Sequence, residues 1–581
     1  MFLILLMSED VKKYKYKYME GKMDEEKKET KIKQPKKAVK VVAIIVAIIA
    51  VIAIILGVLA ATGKINLNFS KKSKMVSGIE KLGEAYTKPL ENLSESAEKN
   101  NLEVKLFNNL EKDSAIEAST EISANIDTLD VDGLTSSEKS AVKSIVDLVN
   151  KAKIATNIRY DGNKSAYMKI DGNLDDVKVS GEALYDGSQA ALRSEEINSK
   201  WITISEDDLK DLADENGLDL DDLKDTISES MNQVSKITKS IEIDEKTQKE
   251  INERYSKVLK EYVNSKSKEI KSEKDKIEVD GKEKKCTKLT LKLNEKDIKK
   301  LAKNYLDTFA KDDQLKEILT NTAESYAEIM KKAGEDSTAE EITDAIDELY
   351  NNIDKIKEEI DDADFQADIK LIVYGSNTNI YRTDIVINIE GAEVSLETTF
   401  NKEDTTTVIS VDYQGVSAEI ATITVKEEKN GVSLKIEASK FIKEQLNQKS
   451  SDNVSLEIKY TTEKSKSEIA LEVNAGSYGN GTLTISSNAT TNEDKEYADN
   501  TVVSIDVDAP DYVTAKMSMT MKNSIKIGGV SIPKVSSSES IDIKDEEALQ
   551  QYQKEAQTKL EKLLEDLQSI EALKSIIENE F

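Results

Sequence analysis

Histidine is absent from all 581 residues, and there is a single cysteine, Cys286. Average usage would give roughly ten histidines in a chain of this length. Without them there is no Ser-His-Asp or Cys-His catalysis, no histidine-based zinc site and no histidine-ligated haem. One cysteine permits no intrachain disulfide and no CxxC pair. Cys286 sits in Lys285-Cys286-Thr287-Lys288-Leu289, an alternating strand pattern. The two lysines could lower a thiol pKa, but with no histidine as base the residue reads as an ordinary strand position.

The acidic candidates are as sparing. Asp130-Val131-Asp132-Gly133 suggests a calcium loop. In the EF-hand register Thr128 would take the first position and Lys139 the twelfth, so two essential ligands fail and a turn before a helix at Glu138 fits better. The run Asp214 to Asp222 reads as helix caps and a solvated helix start. No GxxxxGK[ST] or GxGxxG phosphate cradle is present, and Gly528-Gly529 reads as a turn. A carboxylate pair acting on wall polymers is the remaining hydrolytic option, but 111 acidic residues leave no pair singled out. Met517, Met519 and Met521 could form a soft ligand surface, although sheet core is the commoner use of such a row. No residue is assigned a catalytic, cofactor-binding or metal-binding role; no cofactor is expected, and the chain does not read as an enzyme.

The elements that would carry any site alternate between two periods. Ser73 to Asn100 has helical spacing, with Pro89 inside it. From Val104 to Ile204 the period becomes two, punctuated by Asp161-Gly162, Asp171-Gly172 and Asp186-Gly187, each a hairpin signal. A helix at about Glu138–Asn150 interrupts that run. Trp201-Ile202-Thr203-Ile204 makes a strand before a helical pair from Glu206 to about Ile241, with Asn216-Gly217 as a C-cap between them. Asp280-Gly281 makes another hairpin, and residues 295–360 are helical, with Ile342, Ile346, Leu349, Ile353, Ile356 and Ile360 along one stripe.

From Phe365 to about Ile543 strands return, each apolar on one face and rich in Lys, Glu, Thr or Ser on the other. That pattern predicts an antiparallel sheet with one wet side, whose apolar side the helices must cover. The foremost cover is a helix from Asp545 to Asn579, with Leu549, Tyr552, Ala556, Leu560, Leu563, Leu567, Ile570 and Ile577 on one stripe. The alternative use of that stripe is an intermolecular coiled coil.

Charge and hydropathy set the location. Residues 1–40 hold 12 lysines against 7 carboxylates, so with −29 overall the remaining 541 residues carry about −34. So acidic a surface argues against a nucleic-acid partner. Val41 to Ala61 is an unbroken apolar run of 21 residues, about 31 Å as a helix, which matches the hydrocarbon core of a bilayer. An uncleaved signal-anchor is favoured over a cleaved signal peptide, whose apolar region is normally about 7–15 residues. The excess of lysines before the run over those after it places the N-terminus in the cytoplasm and the bulk outside.

The organisation expected is α+β: an N-terminal transmembrane helix, then large curved antiparallel sheet or sheets packed against helices, and a long C-terminal helix. Its divisions are 1–37 a basic cytoplasmic tail, 38–62 the membrane helix and 63–100 a juxtamembrane helix. A first sheet with helices then fills 101–312, and a helical hairpin, second sheet and long C-terminal helix fill 313–581.

Trp201-Ile202-Thr203-Ile204-Ser205 leading into Asp207-Asp208-Leu209 is one recognisable stretch. Val279-Asp280-Gly281 through Cys286-Thr287 to Leu293-Asn294-Glu295-Lys296-Asp297 is another. Together they resemble a group of uncharacterised membrane-anchored proteins of low-GC Gram-positive bacteria with a domain of unknown function. At fold level alone the chain is similar to the curved-sheet lipoprotein carriers of the LolA and LppX type, in which a half-barrel packs on helices and holds lipid. The departure is the anchor, here a transmembrane helix. The resemblance implies a non-enzymatic envelope protein whose partners are the bilayer, through Val41–Ala61, and an apolar ligand or lipid; the alternative is a surface scaffold for other envelope proteins.

Overall fold

A computed structural model describes residues 70–100, 114–215, 245–332, 336–363 and 366–570, apart from positions 390, 447, 464, 493–494 and 511. The run Val41–Ala61, the basic tail and the cap expected at Asn216-Gly217 lie outside the described residues. Among the described residues no helix is long and apolar enough to cross a membrane.

Helix α1 (Lys71–Asn100) is followed by strand β1 (Ile116–Val131) and helix α2 (Ser136–Lys151). A meander of β2 (Ala152–Tyr160), β3 (Ala166–Leu174), β4 (Val177–Tyr185), β5 (Gln189–Ser194) and β6 (Asn198–Ser205) comes next. Helices α3 (Glu206–Glu215) and α4 (Glu245–Ser265) lead to the hairpin of β7 (Lys271–Val279) and β8 (Lys282–Asn294). Four helices follow: α5 (Glu295–Phe309), α6 (Asp313–Lys332), α7 (Asp336–Asn351) and α8 (Ile353–Asp362). The long meander then comprises β9 (Ala367–Gly375), β10 (Ile380–Ile389), β11 (Ala392–Phe400), β12 (Asp404–Tyr413), β13 (Val416–Glu428) and β14 (Gly431–Ala438). After a short helix α9 (Lys440–Gln445) it continues through β15 (Val454–Glu463), β16 (Lys466–Ala475), β17 (Asn480–Asn492), β18 (Glu496–Ala509) and β19 (Val513–Ile527). Strand β20 (Ser540–Asp542) and helix α10 (Glu546–Ser569) complete the described chain.

Turn chemistry accounts for most of the reversals. Asp280 and Gly281 both take positive φ, 53° and 68°, which matches a two-residue turn to the twist of its strands. Asp161-Gly162 turns as its sequence predicts, with the Asp161 carboxylate accepting from the N–H groups of Asn163, Lys164 and Ser165. Asp171-Gly172 does not. It lies inside β3, and the chain reverses at Asp175-Asp176, with Asp175 at φ 57°. Lys169 and Lys178 hold the Asp171 carboxylate on the strand at 3.2 and 3.6 Å, so the aspartate is used as a cross-strand charge.

All twenty strands form one large open sheet. Each strand from β7 to β19 pairs antiparallel with the next, β19 then takes β1, and β1 to β6 continue the order. The short β20 ends the row, parallel to β6. The division expected at residues 312 and 313 does not separate two sheets: β8 pairs with β9 across it, and β1 pairs with β19 along almost its whole length. Alternation fixes the face to which a side chain points, not the strand that lies alongside.

Helix α1 covers one face at the β9–β10 end. Met75, Ile79 and Leu82 are buried there, and Gly78 brings the helix backbone against β9. A Cβ at Gly78 would stand 2.4 Å from the Cγ2 of Val373, while the Thr383 hydroxyl donates to the Gly78 carbonyl at 3.0 Å. Val373 is 1% exposed and has nowhere to turn. Gly78→Val is therefore expected to lower stability by about 1–3 kcal/mol through overpacking, read as a lower urea midpoint at unchanged slope.

Helix α5 begins with a capping box. The Asn294 side chain accepts from the Asp297 N–H at 3.1 Å, and the Asp297 carboxylate accepts from the Asn294 N–H at 3.2 Å. That carboxylate also accepts from the Tyr262 hydroxyl at 2.9 Å and pairs with Lys266 at 2.7 Å. Burial works to raise its pKa, but Lys266 and these donors hold it below the ordinary value of 3.8. A carboxyl depressed in the folded state contributes stability above its unfolded pKa and loses it as pH falls through the folded value. Asp297→Asn should accordingly reduce stability at neutral pH and flatten its fall below about pH 4, measured as melting temperature against pH.

Candidate apolar binding face

Opposed residues of antiparallel neighbours share a face, so one row of the sheet can be followed strand by strand. It runs Leu289, Val373, Thr383, Thr398, Thr407, Ile423, Ile436, Leu456 and Val473, from β8 to β16. Leu289 is 2% exposed and Val473 is 44% exposed. The face is sealed at one end and open at the other.

The sealed end lies under helices. Leu289, Leu291, Leu293, Leu371, Val373, Ile385 and Ile387 are buried, beneath Met75, Ile79 and Leu82 of α1 and Leu301 and Tyr305 of α5. The threonine row is satisfied from within: Thr398 and Thr407 hydroxyls are 2.7 Å apart, and Tyr86 of α1 hydrogen-bonds Thr407. Desolvation raises the Tyr86 phenol above its ordinary value, against the effect of those threonines.

From β15 onward the same face is only partly covered: Tyr460, Ala515 and a small cluster of Ile116, Ala489, Tyr497 and Ile525 are buried on it, and many of their neighbours are not. Ile458, Ile469, Val473, Leu483, Ile485, Ile505 and Met519 are exposed on β15 to β19. Across the β19–β1 junction the exposure continues through Ile122, Ile154, Ile158, Met168, Ile170, Val179 and Leu192. The pairings Ile485 with Ile469, Ile505 with Leu483, Ile122 with Ile154 and Ile158 with Met168 place them on one surface. Ten adjacent strands at roughly 4.8 Å spacing make this surface about 43 Å wide along the sheet. The Met517, Met519, Met521 row belongs to it, with Met519 43% exposed instead of being sheet core. Isolated exposed hydrophobic side chains are ordinary, whereas a contiguous surface of this kind marks an interaction site.

The opposite face is polar in the same strands. Lys522 pairs with Glu121 at 2.8 Å, Lys459 with Glu472 at 2.8 Å, and Ser119 with Ser524 at 2.7 Å. On β2 to β6 part of that face is covered by the segment leading to β20, whose Ile532 and Val535 pack on Tyr167, Leu184, Ala191 and Trp201. Inside this second core Glu182 accepts from the Tyr167 hydroxyl at 2.8 Å and from Arg193 at 2.9 Å, while Arg193 lies 4.4 Å over the Trp201 ring. No sequence signal pointed to this network, because its members stand on separate strands with unremarkable spacing.

Helix α10 gives only partial cover: it touches β4, β6 and β20, and Leu549, Tyr552, Ala556, Leu563 and Leu567 of its stripe are half-buried. Its N-cap is Asp545, accepting from the Ala548 N–H at 3.0 Å, but none of its residues is buried. Leu560 and Leu564 are 42% and 48% exposed.

The other sequence candidates resolve into local structure. Asp130 ends β1 beside Lys139 at 3.2 Å, and Gly133 takes φ 82° in the turn before α2, which Thr135 and Glu138 cap reciprocally. Cys286 is buried opposite Asp275; desolvation and then that carboxylate push its thiol up, not down as Lys285 and Lys288 would have it. Gly528 and Gly529 both take positive φ in a turn. Among the described residues no three acidic or cysteine side chains converge as metal ligands.

No family model and no characterised protein sequence matches the chain. Among solved structures it is similar to a CymD monoaromatic hydrocarbon channel, at 7% identity and a TM-score of 0.13, covering 74% of this chain and 92% of that one. A TodX monoaromatic hydrocarbon channel deltaS2 mutant aligns at 8% identity and a TM-score of 0.07, covering 71% of this chain and 88% of the other. At those scores neither likeness carries an argument about fold or function.

Proposed function

We propose that this chain is a non-enzymatic, membrane-anchored cell-envelope protein that holds an apolar ligand or lipid on the open half of its sheet. The observation that carries the reading is the contiguous exposed surface from Ile458 on β15 to Leu192 on β5. Water against so much hydrocarbon is costly, at roughly 25 cal/mol per Å², and an apolar occupant removes that cost. Val41–Ala61 supplies the anchor, with the lysine-rich leader in the cytoplasm and the acidic bulk outside. Curvature of the sheet toward its helices, as in the lipoprotein carriers it resembles, would give the occupant a concave bed.

Native mass spectrometry of the full chain, extracted from its own membrane in polymer-bounded discs and then released, tests the reading. A bound apolar mass is expected on the native protein and is expected to be lost from the Ile158→Lys, Ile469→Lys, Ile485→Lys triple variant. No bound mass, or one that the variant retains, contradicts it.

The exposed Leu560 and Leu564 of α10 favour a second role as a surface scaffold, since a helix without buried residues presents them to partners. Concentration-dependent association that disappears on deletion of Asp545–Phe581 would support it; association unchanged by the deletion would remove it.

A further inference from the structure

A cleft of about 930 Å³ lies beside the open face, within the range of roughly 300–1,000 Å³ typical of small-molecule sites. One wall is the stripe of α2 bearing Asp147, Leu148 and Lys151, the opposite wall is the stripe of α10 bearing Lys559, Lys562 and Leu563, and the β3–β4 turn forms part of the floor. Asn150 pins α2 in place, accepting from the Ile126 N–H at 2.6 Å and donating to the Ile126 carbonyl at 3.0 Å beside the bulge in β1. Val177 lines the cleft, and Val179, two residues along β4 and hence on the same face, belongs to the exposed apolar surface. A polar cavity thus meets an apolar bed at the end of one strand.

The charges in the cleft are mixed. Four lysines and five carboxylates line it. Lys151 is engaged by Asp175 at 2.8 Å and Lys178 approaches Asp171 at 3.6 Å, whereas Lys559 and Lys562 form no ion pair with a described residue. Asp147 and Asp176 add to the negative field around Lys151 without bonding it. A net anion would meet the carboxylate surplus, and a bare hydrocarbon would leave the polar walls unused.

The geometry points to a zwitterionic amphiphile as the occupant, its phosphate between Lys559 and Lys562, its ammonium toward Asp147 and Asp176, and its acyl chains leaving past Val177 onto the open face. This rests on the apolar-binding reading above and adds the head group to it. Phosphate contacts of this charge-assisted kind are the stronger class of hydrogen bond.

The test uses the full chain held in amphipathic polymer, titrated with three pyrene-labelled probes: a phosphatidylethanolamine, a phosphatidic acid and an alkane without a head group. Phosphatidylethanolamine is expected to bind about tenfold or more tightly than the alkane, and more tightly than phosphatidic acid. Lys559→Glu with Lys562→Glu should erase most of that advantage and leave alkane binding unchanged; both positions are solvent-exposed on α10, so folding is preserved. Equal binding of alkane and phosphatidylethanolamine, a preference for phosphatidic acid, or a double variant with unaltered head-group selectivity would overturn the head-group site while leaving apolar binding intact. Failure of all three probes to bind would overturn both.

Discussion

Glu182→Ala is expected to destabilise the protein by about 3 kcal/mol, the lower end of the range for removing one partner of a buried ion pair. Glu182 is 5% exposed and holds together two strands and two chemistries: the Tyr167 hydroxyl at 2.8 Å and the Arg193 guanidinium at 2.9 Å. Among the described residues, its loss leaves a buried phenol without an acceptor and a guanidinium with only Glu195 at 3.4 Å and the Trp201 ring. The lower end applies because the Arg193 side chain is 21% exposed and can draw partly on solvent. Glu182→Gln keeps an acceptor for Tyr167 and should cost less than the alanine variant. Urea unfolding of the two variants and of Tyr167→Phe measures this; equal costs for Ala and Gln would show that the retained acceptor contributes nothing and that the charge carries the whole loss.

Leu291→Ala should cost about 2–5 kcal/mol, because Leu291 has no exposed surface and lies between the α1 and α5 helices and the sheet. Its neighbours Leu371 and Ile385 stand opposite on β9 and β10, on strands too well paired to collapse into the void. The informative comparison is Ile469→Ala on β16, on the same sheet face but 48% exposed. There the expected change is within about 0.5 kcal/mol, as for surface positions generally. A large cost at both sites would mean that the far half of the sheet is also covered.

That contrast marks how far the sequence is legible. Residue alternation announces nearly every strand, and Asp280-Gly281 announces its hairpin, because side-chain period and positive φ are local properties. Strand order is not local. The pairing of Ile116 with Ile527 joins residues some four hundred positions apart, and no spacing in the chain encodes it. Asp171-Gly172 misleads for a related reason: tertiary ion pairs to Lys169 and Lys178 keep it in a strand that its turn propensity would break. The apolar stripes also announce that each strand has a greasy side, but not which strands the helices reach. The stripe of α10 shows this, since Leu549, Leu563 and Leu567 have helical spacing and yet none is buried. The cleft between α2 and α10 was invisible for the same reason, being made by elements brought together only in the fold.

The central claim is that the β15–β5 half of the sheet is open and receives an apolar occupant, and site-specific thiol labelling tests it most directly. With Cys286→Ser as background, single cysteines at Ile158, Ile469 and Leu291 report on the two ends of one face. Maleimide should react rapidly at positions 158 and 469 and slowly at 291 in ligand-stripped protein, and adding phospholipid should protect 158 and 469 alone. Equally slow labelling at all three positions, or rapid labelling at 158 and 469 that lipid leaves unchanged, would contradict the account.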